Sequence, residues 1–397
     1  MEKPALEGGT PTRETFLPFA RAWIDELEIQ QVVDVLRSGW LTTGPKALEF
    51  EDRFREYIGC QEAIAVNSCT GALHIALTAL GIGSGDEVIT TPLTFAATAN
   101  VCVLLGARPV LADIQEDTLN LDPEAVKSKV TKKTKAIIPV HYGGHPCDMD
   151  EIRAIADESH LRIVEDAAHA AGAVYRERKV GTLGDAGAFS FYATKNMTTG
   201  EGGMLTCDDS LLAEEMRKLR LHGISRDAWK RYEQSGSWFY EVERAGYKYN
   251  LTDLAAALGV AQLTRLDHFN DIRREQAQYL SARLKDLEGI RLPTTRPYVR
   301  HAWHLFPIRI SPERLRVPRA RFLEALAKEN IGCSVHFIPL FHHPFYRNTF
   351  GMNPQDFPVT EHAWEGLVSL PIYPKMTTQD LDDVVHAVRK LHEFYSR

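Results

Sequence analysis

Short apolar runs alternate with amphipathic segments through the first half of the chain. Runs rich in β-branched and aliphatic residues, bounded by turn residues, lie at 62–66, 87–90, 108–113, 135–140 and 161–165. Segments with the apolar period of a helix lie between them, near 71–80, 94–105, 122–130 and 148–159. Strands and helices that alternate at this spacing predict an α/β domain with a mainly parallel sheet. Two further strands are predicted at 186–191 and 203–206.

The pattern differs at both ends of this alternation. Helical periodicity predicts helices at 23–37 and 46–57 and, after Asn250, a long helical stretch over 252–287. Two prolines in the segment 293–297 then indicate a linker. Beyond the linker the pattern predicts strands at 304–310 and 333–337 and helices at 318–329 and 378–394.

These elements divide the chain into four predicted parts. They are a mobile polar tail, a large α/β domain that begins with a helix, long connecting helices, and a small C-terminal α+β domain. Their predicted bounds are 1–16, 17–250, 251–292 and 293–397, in that order. The expected fold class is therefore α/β, with a smaller α+β domain at the C-terminus.

Composition and charge narrow the function. The 397 residues carry a formal net charge of -7, which does not suit a dedicated nucleic-acid-binding protein. The six cysteines are scattered, so neither a zinc site nor a disulfide framework is indicated. No apolar run approaches the roughly 20 residues that span a bilayer, and the polar N-terminus lacks the apolar core of a signal peptide. We expect a soluble, cytoplasmic protein without a membrane partner.

Lys195 and Asp166 carry the strongest chemical signal. Asp166 ends a strand-like run, Ile163-Val-Glu-Asp, and Lys195 follows later in a short turn between two apolar runs. A lysine amine can hold the aldehyde of pyridoxal phosphate as a Schiff base, and a carboxylate can keep the pyridine nitrogen protonated. An isolated lysine is usually a solvated charge and an isolated aspartate often a helix cap. The two together, followed by the glycine-rich Gly200-Glu-Gly-Gly, indicate a pyridoxal-phosphate enzyme.

Four further residues fit the same site, and each has a structural alternative. Thr70 and Gly71 lie in a polar strand-to-helix turn, whose free amides and helix dipole suit a phosphate, although many such turns only cap a helix. Phe95 suits either a stacking contact with a planar ring or the apolar core. His169 suits either a cofactor contact or a structural hydrogen bond to the backbone.

Several motifs together resemble the DegT/DnrJ/EryC1/StrS family of pyridoxal-phosphate-dependent sugar-nucleotide aminotransferases. The likeness covers nearly the whole chain, from Leu17 to the last helix. Its most specific motifs are Ser38-Gly-Trp-Leu-Thr-Thr-Gly-Pro, Gly85-Asp-Glu-Val-Ile-Thr, Ile138-Pro-Val-His-Tyr-Gly-Gly, Val164-Glu-Asp-Ala-Ala-His-Ala, Phe189-Ser-Phe-Tyr-Ala-Thr-Lys-Asn and Gly246-Tyr-Lys-Tyr-Asn-Leu-Thr-Asp. The resemblance implies fold type I of the pyridoxal-phosphate aminotransferases.

The resemblance also implies a role for each residue. Lys195 and Asp166 would be catalytic, the lysine as the residue that binds the cofactor aldehyde and the aspartate as the partner of the pyridine nitrogen. Asn250 matches an asparagine that reaches the phosphate of the neighbouring subunit, which implies a homodimer with shared active sites. The complete set of implied cofactor contacts is Thr70, Gly71, Phe95, Asp166, His169, Ser190, Lys195 and Asn250.

The reaction implied by the family has two substrates. L-Glutamate would give its amino group and leave as 2-oxoglutarate, and a keto sugar joined to a nucleoside diphosphate would receive the group. C4 of a UDP-linked 4-keto sugar is the first expectation, and a dTDP- or GDP-linked 3- or 4-keto sugar is the alternative. Arg226 and His336 are the predicted substrate contacts. A guanidinium group such as that of Arg226 suits a diphosphate, although its basic loop is equally consistent with a solvated surface.

Two functions of other classes remain open from the sequence. A non-catalytic regulator that binds pyridoxal phosphate would be expected to lack Lys195 or Asp166, and both are present. A metal hydrolase would draw on His141, His145, Asp148 and Asp166, or on His342 and His343. No His-Glu-x-x-His pattern or other tight ligand spacing supports that reading, so no metal site is predicted.

Overall fold

The computed structural model describes residues 2–224 and 240–396. Within these ranges no helix is both long and apolar enough to cross a membrane. The helices are α1 (Glu26–Ser38), α2 (Pro45–Ile58), α3 (Cys69–Ala79), α4 (Ala97–Leu104), α5 (Pro123–Lys129), α6 (Met149–Ser159), α7 (Ser210–Arg220), α8 (Asp253–Leu263), α9 (Leu266–Leu284), α10 (Arg319–Lys328), α11 (Pro344–Phe350), α12 (Pro358–Glu365) and α13 (Thr378–Tyr395). The strands are β1 (Glu62–Val66), β2 (Glu87–Thr90), β3 (Arg108–Leu111), β4 (Thr134–Ile138), β5 (Arg162–Asp166), β6 (Val174–Tyr175), β7 (Arg178–Lys179), β8 (Ala186–Ser190), β9 (Gly203–Cys207), β10 (Ile290–Arg291), β11 (Val299–Arg300), β12 (Phe306–Ile310) and β13 (Leu367–Leu370).

The central sheet has seven strands in the order β1-β9-β8-β5-β4-β2-β3. Strands β3, β2, β4, β5 and β8 are parallel, whereas β9 is antiparallel to both of its neighbours. Parallel neighbours need a crossover connection, which α4, α5 and α6 provide here. The mainly parallel sheet confirms the α/β class predicted from the alternating pattern.

Helices cover both faces of this sheet. Along β5, Ile163 packs into the core that contains α2 and α6, and Val164 packs into the opposite core with α3 and α7. Strands buried on both faces are apolar along their whole length, which is why the apolar runs predicted them correctly. The carboxyl ends of β4, β5 and β8 meet at one edge of the sheet, where ligands of open α/β sheets bind.

The C-terminal part forms a second core around the sheet β10-β12-β13, with α10 and α13 packed against it. The helical stretch predicted over 252–287 is two helices, because the chain turns at Arg265, which forms an ion pair with Asp25 at 2.8 Å. The strand predicted at 333–337 is wrong. Ser334 makes one bridge to Ser369, and the chain then leaves the small sheet and lines a cleft.

Residues 2–16 contact the C-terminal part, which corrects the prediction of a mobile tail. The carboxylate of Glu329 is buried and accepts hydrogen bonds from the backbone N–H groups of Ala5 and Thr12, at 2.8 and 2.7 Å. It also forms a buried ion pair with Lys390 at 2.9 Å. The polar groups that suggested a solvated tail instead pair with buried groups of the small core. The other predicted domain boundaries stay predictions.

Candidate active site

A cleft of about 480 Å³ lies at the carboxyl end of the central sheet. Asp166 at the end of β5 and Ser190 at the end of β8 line it, and the turn after β8 contributes Lys195. His336 and Phe337 line it from the small C-terminal part. The structure thus brings together residues that are far apart in the sequence, in a space of the size that small-molecule sites have.

Asp166 is buried, and donors from neighbouring elements fix its carboxylate. The hydroxyl of Thr98, on α4, donates to Oδ2 at 2.8 Å, and the backbone N–H of Ala168 donates to Oδ1 at 3.2 Å. Burial raises the pKa of Asp166, and these two hydrogen bonds, with the charge of Lys195, act in the opposite direction. A carboxyl group in this position can share a proton with a basic ring nitrogen bound in the cleft.

Lys195 is half-buried in the turn that follows β8. Its backbone N–H donates to the carbonyl oxygen of Tyr192 at 2.9 Å, which closes the turn. Burial lowers the pKa of its amine to about 8, while Cys69 and Asp166 act in the opposite direction. An amine with this pKa is partly unprotonated near neutral pH, so it can act both as a nucleophile and as a base.

Aromatic rings form a wall beside Lys195. The ring centroid of His169 lies 4.5 Å from that of His304 and 5.6 Å from that of Phe337, which stacks on it. The backbone N–H of Gly143 donates to Nδ1 of His169 at 3.3 Å. Burial, and then the charge of Lys195, hold the pKa of His169 well below its usual range. The wall is therefore aromatic and neutral, which suits contact with a planar cofactor ring.

The turn between β1 and α3 forms a polar end of the cleft. Thr70 is exposed and lines the cleft, and Gly71 donates its N–H to Oγ of Ser68 at 3.0 Å. Other N–H groups in the first turn of a helix have no acceptor within the helix, so this end of α3 suits an anion. Gly203 permits the close packing of this turn, because a Cβ there would lie 2.7 Å from the backbone nitrogen of Cys69.

Phe95 and His336 both lie at the mouth of the cleft. Phe95 is 63% exposed, and its ring centroid lies 5.9 Å from that of Phe337. The alternative that Phe95 belongs to the apolar core is therefore wrong. His336 stacks on Phe19 at 5.2 Å, and its Nδ1 lies 3.0 Å from Oγ of Ser369. Burial, and then the charge of Lys195, lower the pKa of His336 to about 4.

Two predicted cofactor contacts, Gly71 and Asn250, are not among the described residues that line this cleft. Gly71 directly follows Thr70, which does line it. Asn250 Nδ2 donates to Oγ1 of Thr43 at 2.6 Å, and Asn250 Oδ1 accepts a hydrogen bond from Lys248. Arg226 lies outside the described residues. The roles predicted for Asn250 and Arg226 stay predictions.

Thr98, His304 and Cys69 line the cleft but were not predicted. Thr98 lies in an apolar helix. It could have been predicted only from the argument that the start of this helix lies at the same edge of the sheet as Asp166. His304 begins a predicted strand and carried no signal of its own. Cys69 is buried, and its Sγ lies 3.4 Å from the carbonyl oxygen of Ala188.

Two of the residues named for a metal hydrolase, His141 and His145, make structural hydrogen bonds instead. His141 Nε2 pairs with Glu165 at 3.1 Å, and His145 Nδ1 pairs with the carbonyl oxygen of Pro146 at 2.7 Å. In the part of the chain that the structure describes, no three His, Cys, Asp or Glu side chains are arranged to hold a metal ion.

The same cleft fits pyridoxal phosphate. The partly unprotonated amine of Lys195 suits the aldehyde, the buried carboxyl of Asp166 suits the ring nitrogen, and the neutral wall suits the ring. The start of α3 suits the phosphate. Gly203 lets the start of α3 pack directly against the sheet, and this contact places the anion site at the end of the cleft.

Comparison with known proteins agrees with this chemistry. The model of the DegT/DnrJ/EryC1/StrS aminotransferase family matches residues 22–389. The chain is 50% identical over 380 residues to the spore coat polysaccharide biosynthesis protein SpsC of Bacillus subtilis, which covers 96% of this chain and 98% of SpsC.

Solved structures show the same fold. Spr1654 of Streptococcus pneumoniae, assigned as a sugar aminotransferase and solved in its PMP form, superposes with a TM-score of 0.90 at 33% identity, over 95% of this chain and 99% of that one. PseC of Helicobacter pylori, an aminotransferase involved in the biosynthesis of pseudoaminic acid, superposes with a TM-score of 0.89 at 29% identity, over 96% and 100% of the two chains.

We expect the amine of Lys195 to react as a free nucleophile from about pH 8, because burial lowers its pKa to about 8 and only the unprotonated amine is acylated. In protein freed of cofactor, acylation of Lys195 should rise up to about this pH and then level off. Competitive labelling with acetic anhydride and peptide mapping measures this, with the exposed Lys133 as internal reference. A Lys195 profile that follows the reference at every pH would contradict the expectation.

Proposed function

Because this chain belongs to the DegT/DnrJ/EryC1/StrS aminotransferase family and is a pyridoxal-phosphate enzyme, we propose that it transfers an amino group from glutamate to a nucleotide-linked keto sugar. The observation that carries the proposal is that Lys195 and Asp166 line one cleft beside a neutral aromatic wall. The names of SpsC, a polysaccharide biosynthesis protein, and Spr1654, assigned as a sugar aminotransferase, support a sugar as the acceptor.

Each part of the cofactor has a partner among the predicted residues. When bound, pyridoxal phosphate supplies an electron sink that stabilises negative charge on the substrate carbon. The residues that we assign are Thr70, Gly71 and Ser190 for the phosphate, His169 and Phe95 for the ring, Asp166 for the pyridine nitrogen and Lys195 for the aldehyde.

Lys195 is the base of the proposed reaction. Its Nζ would take the proton from the α-carbon of glutamate and return a proton at the end of the transfer. A pKa of about 8 suits both steps, because the amine can gain and lose a proton near neutral pH. The negative charge of Asp166 interacts with the charge of Lys195, and the hydroxyl of Thr98 stabilises this carboxylate by a hydrogen bond.

The substrate class is the finer part of the proposal. C4 of a UDP-linked 4-keto sugar is our first choice, and a dTDP- or GDP-linked 3- or 4-keto sugar is the alternative. We propose His336 as a sugar contact, because it is a neutral, half-buried donor or acceptor in the lining of the cleft. The six cysteines are free, which supports action in the reducing cytoplasm.

We also propose a homodimer in which Asn250 reaches the cofactor phosphate of the other subunit. Asn250 is half-buried near Thr43, and it is absent from the described lining of its own subunit's cleft. Leu27, Leu36 and Leu48 on α1 and α2 are large apolar side chains with 45%, 54% and 41% exposure, which a second subunit would cover.

We expect borohydride reduction of the purified enzyme to fix the pyridoxyl group on Lys195. The reason is that this amine is the partly unprotonated one beside the buried Asp166. Peptide mapping by mass spectrometry locates the label, and a Lys195→Ala protein is the control that should remain unlabelled. A label on Lys248, the lysine next to Asn250 in the structure, would show that another amine binds the aldehyde.

A panel of UDP-, dTDP- and GDP-linked keto sugars with glutamate tests the reaction. We expect a UDP-linked 4-keto sugar to gain an amino group at C4 and glutamate to become 2-oxoglutarate, as shown by mass and NMR of the products. Cofactor that binds without any transfer across the panel would favour the non-catalytic regulator instead.

Asp166→Asn is the matched variant for this panel. It keeps the size of the side chain and an acceptor for Thr98 but removes the negative charge. Turnover should fall by about a hundredfold or more, which is the usual effect of removing one electrostatic group from a reacting centre. Near-normal turnover would show that the carboxylate does not act on the ring nitrogen.

Mixing two inactive proteins tests the shared site. Lys195→Ala and Asn250→Asp subunits should each be weak alone, the second because its carboxylate would face a phosphate of like charge. In a mixed dimer one site carries both defects and the other carries none, so subunit exchange should restore up to about a quarter of wild-type activity. If mass spectrometry confirms exchange and activity does not rise, Asn250 does not act across the interface.

A further inference from the structure

His304 is a buried histidine of the cleft that none of the assignments above uses. It is 6% exposed and lines the cleft together with Lys195 and His169. Its ring centroid lies 4.5 Å from that of His169. It lies just before β12, so the small C-terminal part contributes this side chain to the site.

The turn that carries His304 is fixed by hydrogen bonds to the residues around it. One of these bonds comes from Asn196, which directly follows Lys195. Another is accepted by the carbonyl of Gly143, whose own N–H donates to His169. The backbone position of His304 is therefore set relative to both Lys195 and His169. The hydrogen bonds run from Asn196 Nδ2 to the carbonyl of Ala302 at 2.7 Å, from the N–H of Leu305 to the carbonyl of Gly143 at 3.1 Å, and from Arg273 Nη1 to the carbonyl of Trp303 at 3.3 Å.

One nitrogen of His304 is enclosed without a partner. Its Nδ1 is buried, and no described residue lies within hydrogen-bonding reach of it. An apolar ring of similar size would avoid this unfavourable burial, so packing alone does not account for a histidine at this position. A bare lone pair is less costly to bury than an N–H without an acceptor, which favours the tautomer with its proton on Nε2.

We propose that His304 is a ligand-binding residue of this active site, whose Nε2–H donates a hydrogen bond to an oxygen atom of the molecule held beside Lys195. The inference rests on the proposed function, since that molecule is the cofactor or glutamate. Both carry suitable oxygens, a phenolic oxygen on the cofactor and carboxylate oxygens on glutamate.

The electrostatics of the cleft agree with a neutral donor. Burial, followed by the charge of Lys195, holds the pKa of His304 well below its usual range. A neutral imidazole donates a hydrogen bond without repelling the protonated amine of Lys195. The donor would thus be available throughout the pH range in which Lys195 changes its protonation state.

His301 provides a matched comparison on the same turn. It is 5% exposed, and burial likewise holds its pKa well below the usual range. Its Nδ1 accepts a hydrogen bond from the N–H of Trp303 at 2.8 Å, and its ring stacks on the Trp303 ring at 4.0 Å. His301 is not one of the described residues of the Lys195 cleft, so its contacts are those of a structural histidine.

Binding measurements on the full-length protein test the assignment. His304→Phe keeps a ring of similar size and removes the donor, whereas His304→Gln returns a donor N–H. His301→Asn keeps an acceptor for Trp303 and serves as control. Each apoprotein is titrated with pyridoxal 5′-phosphate by fluorescence, and each cofactor-loaded protein is titrated with glutamate by absorbance. Thermal unfolding shows that the variants are folded, and His304→Leu replaces His304→Phe if the latter is not.

We expect the variant without the donor to bind one of the two probes about tenfold more weakly, roughly the effect of one hydrogen bond to a charged acceptor. His304→Gln should recover most of the loss, and His301→Asn should match the wild type. A loss confined to pyridoxal phosphate assigns the bond to the cofactor, and a loss confined to glutamate assigns it to the substrate.

Unchanged binding of both probes by the variant without the donor would overturn the assignment. A loss that His304→Gln fails to recover would also overturn it, because a donor N–H at this position would then not restore binding. A wild-type protein that binds no pyridoxal phosphate would overturn the proposed function itself, and this inference with it, before any variant is compared.

Discussion

Two adjacent carboxyl groups at the end of β5 are buried, and the cleft depends on how each of them is satisfied. Successive side chains of a strand point to opposite faces of a sheet, so Asp166 faces the cleft and Glu165 faces the packed side. Glu165 accepts a hydrogen bond from His141 at 3.1 Å and three from the backbone. Those three come from the N–H groups of Gly181, Leu183 and Gly184, at 2.7 to 2.9 Å. A carboxylate with four partners fixes the strand end, and with it the position of Asp166 in the cleft.

The cleft is built by both cores, so their relative position is part of the site. Helix α9 joins them, because Asn270 donates to the carbonyl oxygen of Ala171 in the large part at 3.0 Å and the buried Arg273 donates to that of Ile372 in the small part at 2.7 Å. Burial lowers the pKa of Arg273 to about 9, and carbonyl oxygens take the place that a carboxylate would have in an ion pair. One turn further along, Gln276 donates to the carbonyl of Tyr373 at 3.0 Å. This helix therefore holds the small core, which carries His336 and His304, against the sheet that carries Lys195.

The strands and the reacting pair could be predicted from the sequence because each leaves a local signal. Strands buried on both faces are largely apolar, and Asp166 ends one such run while Lys195 lies in the turn after another. The contribution of the small core left no such signal. His336 sits in a segment whose apolar pattern resembled a strand, and it leaves the sheet only because Ser334 meets β13 at a single bridge. Side chains placed by contacts between distant segments, such as Thr98 and His304, become visible only when those segments are packed together.

The charge balance of the cleft gives the proposed homodimer a physical reason. Within the described lining, the amine of Lys195 is the one basic group that can carry a positive charge near neutral pH, since burial and the charge of Lys195 hold the pKa values of His169, His304 and His336 low. A phosphorylated cofactor and the proposed sugar joined to a diphosphate would bring several negative charges into this space. Helix and backbone N–H groups can bind one phosphate without a full positive charge. The charges of a second phosphate group would then need cations from outside this lining, and in the proposed homodimer a neighbouring subunit can supply them.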